Sequence, residues 1–178
     1  MKKTYVFVDG SNFYHALKAE FKDTSLDFYK LGKNLCVELK NKFGEDYDLG
    51  RIFYYIAALN QKIDPKAYKD QQRFFISLRN TPFLTLRLGR LEMRRGGQVE
   101  KGIDVQIAVD MMDMALSNLY DAAILISGDG DFAPVLETIK KRCKSQVFTA
   151  LPSTQCYHLK TEADHFILID QKIFQASK

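Results

Sequence analysis

Along most of the chain, short apolar runs alternate with segments whose apolar positions recur every three to four residues. Thr4–Val8 is a compact apolar run that stops at Asp9-Gly10-Ser11-Asn12, as a buried strand entering a turn would. Phe13, Leu17 and Phe21 stand four apart and predict a helix over Phe13–Phe21. Asp27 is placed to cap a second helix, with Leu31, Leu35 and Leu39 on one face. Gly50–Leu59 is rich in β-branched and aromatic residues and predicts a strand. Asp64-Pro65 opens a helix that turns Tyr68, Phe75 and Leu78 inward. Phe83–Met93 alternates as a strand exposed on one face, and Arg94-Arg95-Gly96-Gly97-Gln98 forms a turn. The order continues with a helix at Ile103–Leu116, a strand at Ala122–Ile126, a helix at Asp131–Arg142 and a strand at Gln146–Leu151. A helix around Thr154–Glu162 and a short strand at His165–Ile169 complete the reading.

Strands and helices taking turns imply an α/β fold, a three-layer α/β/α sandwich around a mostly parallel central sheet. In such sheets ligands bind beyond the carboxyl ends of the strands, where chain order reverses. At 178 residues the expectation is one domain spanning 1–178. A hydrophobic fraction of 46% with 27% charged residues fits an ordinary globular composition. The net charge of +4 permits nucleic-acid binding without demanding it. Three cysteines, Cys36, Cys143 and Cys156, have no paired spacing, which argues against a disulfide framework or a zinc site. They read as reduced thiols of a cytoplasmic protein. No apolar stretch approaches the ~18 residues of a membrane span, and the run before Asp9 is too short for a signal-peptide core.

Four aspartates change this picture. Asp9 closes the first strand, Asp104 opens the Ile103 helix, and Asp129 and Asp131 stand in Ser127-Gly128-Asp129-Gly130-Asp131-Phe132 after the Ala122 strand. If those strands are parallel neighbours, the carboxylates meet at one sheet edge. Carboxylate clusters bind hard divalent cations such as Mg2+ or Mn2+, and without cations they repel one another and raise pKa values. Plainer roles compete: Asp9 as a helix cap, Asp104 as a complement to the helix dipole, and Gly-Asp-Gly-Asp as a turn. The face of Asp104 continues through Ala108, Met111 and Ala115 and is expected to pack on the sheet. Asp110 and Asp113 fall on the face expected in solvent. No histidine is placed as a general base: His15 and His158 are isolated and His165 lies in the terminal strand.

Taken together these residues resemble the NYN domain, in the LabA-like branch of the PIN-type nucleases. The likeness rests on Asp9-Gly10-Ser11-Asn12, Lys101-Gly102-Ile103-Asp104 and Ser127-Gly128-Asp129-Gly130-Asp131-Phe132 in that order, with Asp110 and Ala163-Asp164 also fitting. The resemblance implies a PIN-like (Rossmann-like) sandwich and metal-dependent ribonuclease chemistry. By it, Asp9, Asp104, Asp129 and Asp131 are the metal-site acids. Asn12 and Ser127 position the acids or the phosphate, and Lys101 either holds the scissile phosphate or is a solvated lysine flanking a helix.

For RNA, Arg87, Arg90, Arg94, Arg95 and Lys101 gather on one strand and turn, either as an arm over the acids or as a solubilising hairpin. Tyr14 is the candidate for stacking an unpaired base. Lys140-Lys141-Arg142-Lys144 ends a helix and suits its dipole. The reading that follows is a ribonuclease using Mg2+ or Mn2+, with RNA as partner and room for a homo-oligomer. Two alternatives stand beside it. One is a haloacid-dehalogenase-like phosphatase, which would need a second acid where Ser11 stands; the other is a non-catalytic RNA-binding or partner-docking module.

Overall fold

The structure is a computed structural model that describes residues 1–94, 97–153 and 157–178, and all their side chains except those of residues 90–94 and 97–101. Its elements run β1 (Lys2–Asp9), α1 (Gly10–Phe21), α2 (Phe28–Phe43), β2 (Tyr47–Ala57), α3 (Pro65–Asn80), β3 (Leu84–Arg94) and β4 (Gly97–Lys101). They continue with α4 (Ile103–Leu116), β5 (Ala122–Ile126), a 3-10 turn (Gly130–Phe132), α5 (Ala133–Arg142), β6 (Gln146–Leu151), α6 (Tyr157–Glu162), β7 (His165–Leu168) and α7 (Gln171–Ala176).

The strand order is β4-β3-β2-β1-β5-β6-β7. Every pairing from β3 to β7 is parallel, and β4 alone runs antiparallel, against β3. Chain order reverses at β1, which pairs with β2 on one side and β5 on the other. The carboxyl ends of β1 and β5 therefore flank the switch point where α/β sheets bind ligands.

Two apolar clusters, one on each sheet face, explain why the strands are so uniformly apolar. Val6 and Val8 pack with Ile52, Tyr54, Ile124 and Ile126 beneath α1, α2, α3 and α7. Phe7 packs with Phe53, Tyr55, Ala123 and Leu125 beneath α4, α5 and α6. Alternation along β1 thus sends Asp9, two residues past Phe7, toward the α4–α5 side. Local chemistry sets the helix starts. The Asp27 side chain accepts from the amides of Tyr29 and Lys30, and that of Asp64 accepts from Ala67 with Pro65 in the first turn. At the start of α1, a Cβ on residue 10 would stand 2.6 Å from the Tyr55 carbonyl oxygen, so α1 reaches β2 only through Gly10.

Three elements depart from the reading of the sequence. Gly97–Lys101 is a strand rather than part of a loop, pairing Arg90 with Lys101 and Arg94 with Gly97. Its one apolar residue, Val99, gives no alternation to read. The segment after β7 forms α7, capped by Asp170, where no helix was expected. Tyr68 is only half-buried on α3, which buries Phe75 and Leu78. Residues 154–156 of the expected Thr154–Glu162 helix lie outside the described residues, and the described helix is Tyr157–Glu162.

Candidate active site

Asp9 ends β1 at 5% exposure, and its carboxylate accepts two hydrogen bonds there. The Asn12 amide donates to Oδ1 at 3.2 Å and the Ser127 hydroxyl donates to Oδ2 at 3.0 Å. Capping α1 and lining a site are compatible here, because the two oxygens have different partners. Ser127, at 1% exposure just past β5, also accepts from the Asp129 amide at 3.1 Å. The Asn12 side-chain oxygen accepts from the Gly128 amide at 2.8 Å, and Asp129 Oδ1 accepts from the Asp131 amide at 3.0 Å. These bonds tie the end of β1 to the loop after β5, so both strand ends present their acids from one rigid edge.

Electrostatics bring in the fourth acid. Burial pushes the Asp9 carboxyl above its ordinary range, the bonds from Asn12 and Ser127 pull it back, and the charges of Asp104 and Asp129 push it further up. Asp104 is also raised, by partial burial first and then by the charges of Asp129 and Asp131. The charges of Asp104 and Asp129 thus reach Asp9, and those of Asp129 and Asp131 reach Asp104. Among the described residues, no group of three or more His, Cys, Asp or Glu stands close enough together to hold an ion as placed. The donor chemistry nevertheless fits a hard cation: all four groups are carboxylates, and two carry a repulsive field that a cation would relieve.

Asp104 reaches this point differently from the sequence expectation. Helix α4 buries Ile103, Ile107, Met111, Met114 and Ala115, so the expected face holds at Met111 and Ala115, whereas Ala108 is half-buried and Asp104 exposed. Gly102, with φ of 78°, turns the chain out of β4 so that Asp104 starts the helix beside the loop after β5. The side chain of Lys101 lies outside the described residues.

Asp110 is not the solvent-facing group it was expected to be. Tyr55, fully buried on β2 in register with Asp9, donates its hydroxyl to Asp110 Oδ2 at 2.8 Å. Arg87 of β3, in register with Tyr55, places Nε 3.6 Å from the same oxygen and lies over the Phe53 ring. Arg87 is thus a packed ion-pair partner rather than a free arm. Its buried Nε makes no hydrogen bond among the described residues. Arg90 and Arg94 are on the β3–β4 hairpin, with side chains outside the described residues, and Arg95 lies outside them altogether.

Tyr14 is exposed on α1, with Lys18 Nζ 5.9 Å from its ring centroid. Asp164 is remote from the acids. It accepts from the Val147 amide at 2.8 Å and lies 3.7 Å from Lys140 Nζ, so its role is to hold β6. The basic end of α5 is likewise structural, with Lys140 bonded to the Glu162 carbonyl and Lys141 paired with Glu137.

Two residues near the acids were not singled out from the sequence. Tyr55 was hidden in an aromatic run, although its strand parity matches that of Asp9. His158, expected to be isolated, packs over the acidic loop: its Cδ2 would lie 3.5 Å from a Cβ on Gly130. Only α6 folding back on α5 brings it there, and no local pattern announces that.

A profile of the NYN domain family matches residues 3–170 of this chain. A crystal structure of a protein of unknown function from Vibrio parahaemolyticus is similar to it, with a TM-score of 0.73 and 26% identity over 97% of this chain and 95% of that one. No curated protein matches the chain significantly.

Proposed function

Because the chain belongs to the NYN domain family, a PIN-like nuclease family, we propose that it is a ribonuclease that hydrolyses RNA phosphodiester bonds with Mg2+ or Mn2+. The observation that carries this reading is the hydrogen-bonded tie through Ser127 and Asn12 that sets Asp9 at the end of β1 against the loop of Asp129 and Asp131 after β5, at the sheet's switch point, with Asp104 within their electrostatic range. Their order along the chain also favours the LabA-like branch of the family.

In this reading the four carboxylates hold the cation. A bound divalent ion supplies Lewis-acid stabilisation of the phosphate and lowers the pKa of an attacking water. The rest falls to the chain itself. Ser127 and the Asn12 amide hold the Asp9 carboxylate in one orientation, and Asn12 fixes the loop that carries Asp129. Burial keeps Asp9 from swinging away when the phosphate arrives. Arg87 keeps its guanidinium paired with Asp110, while Arg90 and Arg94 of β3, Lys101 of β4 and Arg95 between them in the sequence neutralise flanking phosphates. Tyr14 stacks an unpaired base.

The phosphatase alternative has lost its support. Its second acid would stand at residue 11, but Ser11 turns into a cavity on the opposite face of the sheet, and the family match is to NYN. The non-catalytic alternative predicts that the wild-type protein leaves RNA uncut in Mn2+. Labelled RNA incubated with Mn2+ separates the two readings. The wild-type protein should cleave and Asp9→Asn and Asp129→Asn should each abolish that cleavage; no cleavage by the wild type, or cleavage at the wild-type rate in either variant, would refute the assignment.

A further inference from the structure

On the sheet face opposite the acids lies a cavity of about 1120 Å³, bounded by α1, α3 and the carboxyl half of β2. That volume is slightly above the range for ligand pockets, about 300–1,000 Å³. It starts at Gly10 and Ser11, the two residues after Asp9, and extends along α1 to Ser25. A helix of this length spans about 18 Å. The β2 residues at its floor, Tyr54 and Ile56, flank Tyr55, the residue in register with Asp9. Cavity and acids are therefore the two sides of one sheet edge, joined through the first turn of α1.

The walls are aromatic. Phe28 meets Tyr54 edge-on at 4.9 Å between centroids, Tyr54 meets Phe74 at 5.7 Å, and exposed Tyr14 stands on the α1 side. The two charged residues on the wall are already spent: Asp70 pairs with Arg73 at 3.3 Å and Lys178 with Asp23 at 2.7 Å. Gln71 is committed as well, bonding Leu59 N and the Ala57 carbonyl at 2.8 and 3.0 Å. What remains on offer is flat apolar surface with a few hydroxyls, which suits a neutral planar ring and gives a phosphate no free cation.

The geometry points to a nucleobase subsite: an unpaired base next to the scissile phosphate of single-stranded RNA enters this cavity while its backbone stays at the acids. The inference rests on the ribonuclease reading for its substrate, and continuity through Asp9, Gly10 and Ser11 selects RNA over an unrelated apolar ligand. A strand held this way has its bases splayed out, as single-stranded recognition requires. Duplex RNA could not enter.

Fluorescence anisotropy in EDTA, with a labelled single-stranded RNA hexamer and a same-length oligomer of abasic ribose-phosphate units, tests this without catalysis. The base-containing strand should bind about 10-fold or more tightly than the abasic one, the scale of a stacked base. Tyr14→Ala and the cavity-filling Ser77→Trp, both at exposed positions, should each remove most of that preference without altering the melting curve. Equal affinity for the two oligomers, or a preference that survives both variants, overturns the subsite. The two readings fail separately. Base preference without cleavage in Mn2+ would remove the nuclease and keep the subsite, whereas equal cleavage of normal and partly abasic strands would do the reverse.

Discussion

Ser127 donates to Asp9 Oδ2 at 3.0 Å while accepting from the Asp129 amide at 3.1 Å, so one hydroxyl orients acids from two strands. Ser127→Ala removes one of the two donors that hold the buried Asp9 carboxylate and loosens the loop after β5. Losing a group that orients a metal ligand typically costs about 10–100-fold in affinity or activity. Steady-state RNA cleavage in Mn2+ should show that loss chiefly in kcat, and activity within twofold of wild type would mean that Ser127 only fills space.

The acids should destabilise the cation-free protein. Asp104 is raised by burial and by the charges of Asp129 and Asp131, so the folded state binds its proton more tightly than the unfolded chain does. The sign follows from linkage: this contribution favours folding below the ordinary aspartate pKa and is lost as pH rises through the folded value. At neutral pH, Asp104→Asn should therefore raise the melting temperature. Because Asp104 is exposed, screening limits the gain to about 1 kcal/mol or less. Scanning calorimetry in EDTA at pH 7 and pH 4 checks it: the gain should be present at pH 7 and shrink at pH 4.

The Tyr55–Asp110 bond is a separate stability feature. Tyr55→Phe removes the hydroxyl that donates at 2.8 Å and leaves Asp110, among the described residues, the longer contact to Arg87 Nε at 3.6 Å. A hydrogen bond to a charged acceptor contributes about 1.5–3 kcal/mol. Urea unfolding should report a loss of that order with an unchanged slope. A loss below the error of extrapolation would show that Asp110 is satisfied from elsewhere.

Burial pushes the Cys36 thiol up to about 11. Only the thiolate alkylates readily, so at pH 8 Cys36 should resist iodoacetamide in the folded protein while half-buried Cys143 reacts. Mass-spectrometric mapping before and after urea unfolding decides it, the expected outcome being modification of Cys36 only after unfolding.

Much of this architecture was legible because local chemistry and global fold agree. Asp27 and Asp64 announce helices that are really there, and the runs Val6–Val8 and Ala122–Ile126 are buried on both faces, as parallel strands must be. Asp9 and Asp129 could be found because strand ends and glycine-flanked loops mark the places where ligands meet such sheets. The misses share a cause, which is that they depend on contacts distant in sequence. Asp110 looks solvent-facing on α4 until Tyr55 arrives from β2, and His158 looks isolated until α6 folds back over Gly130. On α4 the expected face holds at Met111 and Ala115 but not at Asp104 and Ala108, because Val105, Val109 and Leu116 are apolar yet exposed and blur the stripe that Ile103, Ile107 and Met111 bury. Strand β4 is mostly polar and is held by pairing with β3, so its sequence carries little of its own signal.

The most direct test is anomalous diffraction from crystals grown with Mn2+, recorded at the manganese edge. The account predicts a manganese peak within about 2.5 Å of carboxylate oxygens from Asp9 and Asp129, the spacing of oxygen ligands around hard cations. A map with no peak at the ends of β1 and β5, or with manganese bound only elsewhere, would contradict it.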